Sequence, residues 1–225
     1  MTVYDADWAA AEESRRKWMA ENTLYREDDE KGSCGVGLVV SIDGTPSRRV
    51  VENGIDALKA VWHRGAVDAD GRTGDGAGIH VQIPAAFFRD QIERTGHKPR
   101  EGELIAVGQV FLPRTDFGAQ ETCRTIVETE VLRMGYYIYG WRHVPVNIAC
   151  LGDKANATRP EIEQILISNS KGVDEETFER ELYVIRRRIE KAAAAAQVPS
   201  LYFCSLSCRS IIYKGMMLAQ DVSEF

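Results

Sequence analysis

The stretch DEETFERELYVIRRRIEKAAAAA, residues 174–196, constrains this chain more than any other. Phe178, Leu182, Ile185 and Ile189 recur at spacings of 4, 3 and 4, which is one stripe of an amphipathic α-helix. Its first turn is acidic and its later half basic, as the helix macrodipole favours. A helix with one apolar stripe must bury it against another layer. The next segment, SLYFCSLSCRSIIYKGMML (200–218), reads as two strands with a tight turn near Cys208–Arg209.

Earlier segments supply further layers. ELIAVGQVFLP (103–113) reads as a strand stopped by Pro113, and YYIYGWRHVPVN (136–147) as another. Between them DFGAQETCRTIVETEVLRMG (116–135) predicts a helix, with Asp116 as N-cap and Gly135 as stop. In VVENGIDALKAVWHR (50–64), Val51, Ile55, Leu58 and Trp62 share one helical face. RPEIEQILISN (159–169) reads as a helix opened by Pro160. Cys34 to Ile42 reads as a buried strand, IHVQIP (79–84) as a second, and AAFFRDQI (85–92) as a short aromatic turn. Strands and helices fall in blocks, so the expected class is α+β.

Composition narrows the function. With 225 residues, 44% hydrophobic, the chain can bury one sizeable core. The net charge of −6 gives no electrostatic footprint for nucleic acid or an anionic membrane. No run approaches the roughly 20 apolar residues of a membrane span, and residues 1–31 carry no apolar signal-peptide core. The five cysteines (34, 123, 150, 204, 208) have neither CxxC nor metal-finger spacing. No metal site and a reducing, cytoplasmic setting are the expectations.

Some residues offer chemistry. GAVDADGRTGDGAG (65–78) is rich in glycine, but it precedes a strand and lacks the GxGxxG and Walker spacings, so it is not read as a phosphate cradle. It is either a turn or a place where backbone passes close to a substrate or reactive side chain. His63–Arg64 reads first as a cationic helix end. Asp70 and Asp75 form a weak acid–base candidate, and Cys123, Cys150, Cys204 and Cys208 read as small core residues.

Cys34 differs by position. It stands between Ser33 and Gly35, after the charge run REDDEK and before LVVSI. One reading is a small buried side chain. The other is that residues 1–33 form a leader whose removal frees an α-amine beside the thiol, a base with pKa about 7.7–8.0.

CGVGLVV, HRGAVDADGRTGDGAGI and SLYFCSLSCRSIIYKGMML together resemble the N-terminal class II glutamine amidotransferase domain of glutamate synthase large (alpha) subunits. The resemblance spans most of residues 30–225. It implies the N-terminal nucleophile (Ntn) hydrolase fold, an αββα sandwich of two antiparallel sheets between helical layers, incomplete on its C-terminal side. It assigns 1–33 to a propeptide and 34–225 to the N-terminal part of the amidotransferase domain. Cys34 would attack glutamine, and Arg64 and Gly65 would line the site. The ammonia would serve glutamate formation from 2-oxoglutarate elsewhere in the enzyme.

The resemblance further implies L-glutamine as substrate, and the remainder of the large subunit and the small subunit as partners. FMN, an iron–sulfur cluster and NADPH or ferredoxin belong to the parent enzyme, with no cofactor in this chain. The family's HSRFSTNT-like arginine segment and HNGEINT-like oxyanion segment have no counterpart here; SCRS around Arg209 does not match and Asn53–Gly54 lies inside a helix. The alternative implied is a non-catalytic fragment or interaction subunit.

Overall fold

The computed structural model describes residues 6–23, 35–198 and 200–225. Residues 1–34 and 35–225 are two separate units. In the first, α1 (Ala6–Asn22) is a polar helix with an i,i+4 ion pair between Glu13 and Lys17.

The second unit has helices α2 (Arg48–Ala60), α3 (Ala85–Arg94), α4 (Phe117–Arg133), α5 (Asp153–Thr158) and α6 (Glu175–Ala195). Its strands are β1 (Ala77–Gln82), β2 (Ile105–Leu112), β3 (Tyr137–His143), β4 (Glu161–Ser168), β5 (Tyr202–Ser207) and β6 (Ser210–Gly215). An antiparallel sheet runs β3-β4-β2-β5, and a second pairs β1 with β6.

The stripe of α6 does what its periodicity requires. Phe178, Leu182, Ile185 and Ile189 are all fully buried, packed with Val127 and Val131 of α4 and with Val110, Ile165 and Ile167 of the large sheet. Asp174 caps α6 by accepting from Thr177 N–H at 3.0 Å, and Asp116 caps α4 by accepting from Ala119 N–H at 2.9 Å. The other face of the large sheet is covered by β6 and α3, through Ile211, Phe88 and Ile92 against Val107 and Leu166. On the far side of β1, Gly54 of α2 meets Ile79. The layers therefore run α2, β1–β6, the four-stranded sheet, then α4 with α6, in the α+β class.

Four expectations are corrected. RPEIEQILISN forms no helix; Glu161–Ser168 is β4, a central strand between β3 and β2. Covered on both faces, it shows no polar–apolar alternation. Its buried polar side chains are matched instead: Glu163 accepts from Arg124 Nε at 2.9 Å, and Gln164 Nε2 donates to Gln109 at 2.8 Å. AAFFRDQI is not a turn but most of α3, burying Phe88 and Ile92 one helical turn apart.

The third correction concerns Cys34–Ile42. Cys34 lies outside the described residues, and 35–41 form no strand. Gly35 rests on Val61 and Arg64, and Gly37 on Ala57, so one side of the segment leans on α2 and the turn after it. The alternate side chains Val36 and Leu38 are 90% and 87% exposed, and Val40 and Ile42 are exposed with them. The apolar run has strand-like alternation, but no described strand pairs with it. Trp62 also departs from its expected helical face: α2 ends at Ala60, and Trp62 sits exposed in a 3₁₀ turn, Trp62–Arg64.

Candidate active site

The site is built at the end of α2. Ser47 caps the helix through a bond from Val50 N–H, and the chain tightens after Ala60 into the 3₁₀ turn. Arg64 N–H donates to Val61 C=O at 2.9 Å, and Gly65 N–H to Trp62 C=O at 3.1 Å. A methyl group on Gly35 would lie 3.2 Å from Val61 Cγ2 and 3.3 Å from Arg64 Cβ and Cγ. The residue after Cys34 is thus seated on Arg64. Gly65, next along, faces Asp75, whose Oδ1 would lie 3.3 Å from a Gly65 Cβ.

The glycine-rich segment turns out to be a hairpin. Asp68 N–H donates to Thr73 C=O at 2.9 Å and Asp75 N–H to Ala66 C=O at 3.1 Å, with Val67 and Gly74 paired between them. Its glycines do admit close backbone, but the neighbour is protein: a Cβ on Gly74 would lie 2.3 Å from Met217 C=O, and one on Gly78 2.5 Å from Tyr213 C=O. Asp70 is bonded within the hairpin, not paired with Asp75. It accepts from Arg72 N–H at 3.0 Å, Thr73 N–H at 2.7 Å and Thr73 Oγ1 at 2.5 Å, and these bonds, the Thr73 hydroxyl's first, hold its carboxyl well below the ordinary range.

The four described thiols are in the wrong environments for nucleophiles. Cys123, Cys150 and Cys204 are buried and Cys208 is half-buried. Burial is the first cause that pushes each upward, Cys204 to about 11. Raised thiols dispersed over α4, a 3₁₀ turn (Ile148–Cys150), β5 and the β5–β6 turn do not fit an iron–sulfur cluster either. Among the described residues no group of three or more His, Cys, Asp or Glu converges as a metal site. A cleft of about 270 Å³ opens elsewhere, lined by Arg72, Asn147, Cys150, Asp221 and Glu224. Neither Arg64 nor Gly65 lines it.

Reading the sequence alone misses the roles of Asp75 and Thr73, whose partners come from geometry. The hint was available in the GRTGDG spacing, which places both beside glycines in a turn.

Comparison with known proteins places this geometry in a family. The model of class-II glutamine amidotransferases matches residues 34–225. The chain belongs to that family, whose domain has the Ntn hydrolase fold. It is similar to the glutamate synthase [NADPH] large chain of Azospirillum brasilense, 63% identical over 201 residues, covering 89% of this chain and 13% of that protein. The ferredoxin-dependent chloroplastic glutamate synthase of Oryza sativa subsp. japonica is 37% identical over 218 residues, 94% of this chain and 13% of the relative. The large chain of Bacillus subtilis is 36% identical over 207 residues, again 13% of the relative. This chain therefore spans about an eighth of the length of the relatives it matches.

Proposed function

We propose that the chain is the glutaminase part of a glutamate synthase large subunit, with Cys34 as nucleophile after removal of residues 1–33. The observation that carries this is the seating of Gly35 on Arg64, which puts the residue bonded to Cys34 against the residue that precedes Gly65. The chemistry follows from a free N-terminal cysteine. The α-amine takes the thiol proton. The thiolate sulfur bonds to the side-chain amide carbon of L-glutamine. As the C–N bond breaks, that proton leaves with the nitrogen as ammonia. Water then cleaves the thioester, giving glutamate and restoring the thiol.

The ammonia is consumed with 2-oxoglutarate in regions outside this chain, where FMN, an iron–sulfur cluster and NADPH or ferredoxin act. The similarity to an NADPH-named large chain at 63% identity favours NADPH. The partners are the rest of the large subunit and the small subunit, in the cytoplasm. Among the described residues no helix is long and apolar enough to cross a membrane.

A second reading, a non-catalytic piece that binds partners, draws on the exposed Val36, Leu38, Val40 and Ile42. Intact mass, before and after exposure to a diazo-ketone analogue of glutamine, decides between them. Loss of residues 1–33 plus an adduct on Cys34 supports the glutaminase. A full-length mass without adduct, in the longest polypeptide that carries this chain, overturns it.

A further inference from the structure

The N-cap residue of helix α5 is Gly152, which has no side chain to cap it. A helix normally satisfies its N3 amide with the N-cap side chain. In α5 the N3 residue is Ala155, buried at 4% exposure, and its N–H donates at 3.3 Å to Thr73 Oγ1, from a segment 82 residues away. The cap is supplied across space by the glycine-rich hairpin.

The fit leaves no slack. A Cβ on Gly152 would lie 2.3 Å from Thr73 Oγ1 and 2.5 Å from both Asp70 Oδ2 and Thr73 N. A self-capping Ser or Asp at 152 is therefore excluded. Thr73, 2% exposed, donates its hydroxyl hydrogen bond to Asp70 at 2.5 Å, and Asp70 closes the hairpin tip. Two outer links flank the clamp: Lys154 Nζ of α5 to Asp68 at 2.7 Å, and the Arg72 guanidinium to Ala149 C=O in the 3₁₀ turn before α5.

The root of the hairpin is where this matters. Asp75 N–H bonds Ala66 C=O, and the Asp75 carboxylate abuts Gly65. Fixing the tip fixes the root, and the root adjoins Arg64–Gly65. We infer that Thr73, Asp70 and Gly152 form a clamp that positions Arg64 and Gly65 through the 66–75 hairpin. Thr73 and Asp70 are then positioning residues for the glutaminase, an assignment that rests on the reading of Arg64–Gly65 as active-site lining. Geometry at this level carries rate: a displacement of about 1 Å can cost on the order of 10²-fold.

Thr73→Val and Thr73→Ser separate the hydroxyl from the shape. Two readouts are needed in the longest polypeptide that carries this chain. The first is hydrogen exchange at Asp68 and Asp75. The second is the rate at which Cys34 is alkylated by the diazo-ketone glutamine analogue, divided by its rate with iodoacetamide, which needs no bound glutamine geometry. Thr73→Val is expected to speed exchange in the hairpin about tenfold, with β2 and β4 still protected, and to lower the alkylation ratio roughly 10- to 100-fold. Thr73→Ser should restore both. Should Thr73→Val not fold, Asp70→Asn, which weakens only the tip, is expected to move both readouts the same way by less. Unchanged exchange overturns the clamp, and faster exchange with an unchanged ratio overturns its reach into the site. If the unmutated protein reacts with iodoacetamide but not with the analogue, the glutaminase reading falls and the positioning role with it, while the exchange result still judges the clamp by itself.

Discussion

Gly35 lies in van der Waals contact with Arg64, so close that a methyl group on its Cα would meet Arg64 Cβ at 3.3 Å. The contact joins two different kinds of segment. One is an exposed extended run; the other ends the helix–turn unit that leads into the glycine-rich hairpin.

Arg64 is exposed, so its removal should leave stability nearly untouched while damaging the site. Arg64→Ala is expected to lower glutaminase kcat by about 10²-fold, the scale of losing one preorganised charge-stabilising group. Its urea midpoint should shift by less than about 0.5 kcal/mol equivalent. A steady-state ammonia assay beside a urea titration checks both, and an unchanged kcat would remove Arg64 from the site.

The glycines of the chain are not equivalent. Gly74 has backbone of Met217 and Leu218 within 3 Å of a would-be Cβ, whereas Gly44 has nothing within 4 Å and only a φ of +70°. Gly74→Ala must displace main chain, so it should cost about 3 kcal/mol or more. Gly44→Ala carries only the left-handed backbone penalty of about 1–2 kcal/mol. Chemical denaturation of the two variants side by side tests the order.

Gln164 is fully buried in β4 and joins three elements. It donates to Gln109 at 2.8 Å and to Tyr213 Oη at 3.2 Å, and accepts from Arg142 at 2.9 Å. Gln164→Leu keeps the volume but strands the Gln109 carbonyl and a guanidinium N–H. The expected loss is about 2–4 kcal/mol, while Gln164→Glu, still an acceptor for Arg142, should lose less. Thermal unfolding of both decides whether the network or the shape matters.

Glu103 predicts a pH effect. Burial pushes its carboxyl up, but donations from Ser168, the Arg100 backbone and Tyr139 outweigh that and leave it below its ordinary value. Its side chain is only 3% exposed. Because the folded value is depressed, Glu103 stabilises the fold above the unfolded carboxylate pKa of about 4.3 and ceases to do so as pH falls through its lower folded value. Glu103→Gln should therefore flatten the loss of stability on acidification below about pH 4.3. Urea midpoints between pH 3 and 6 measure the slope.

Particular elements show what could be read in advance. The α6 stripe was legible because each of its four apolar residues faces one layer, and the β5–β6 turn because chain direction reverses locally at Cys208–Arg209. β4 was not. Ile162, Ile165 and Leu166 stand at helical spacing by accident, and a strand buried on both faces has no period to reveal. Its Glu163 and Gln164 are buried only because Arg124, Gln109 and Arg142 arrive from elsewhere. The segment 35–42 carried the right alternation, but a strand exists only with a neighbour to pair. At the candidate site, Arg64 and Gly65 were named through family resemblance alone, whereas Thr73 was not named, since its partner Ala155 lies 82 residues away.

The β1–β6 pairing has a consequence in time. His80 bonds Ser210 across 130 residues, and Gly74 waits for the Met217 backbone over a similar span. At translation speeds of about 5–20 residues per second, β1 and the hairpin before it remain without those partners for roughly 7 to 30 seconds after they are made. The four-stranded sheet can close as soon as β5 emerges. Within residues 35–225, the loop that adjoins Arg64 and Gly65 is thus among the last parts to find its partners.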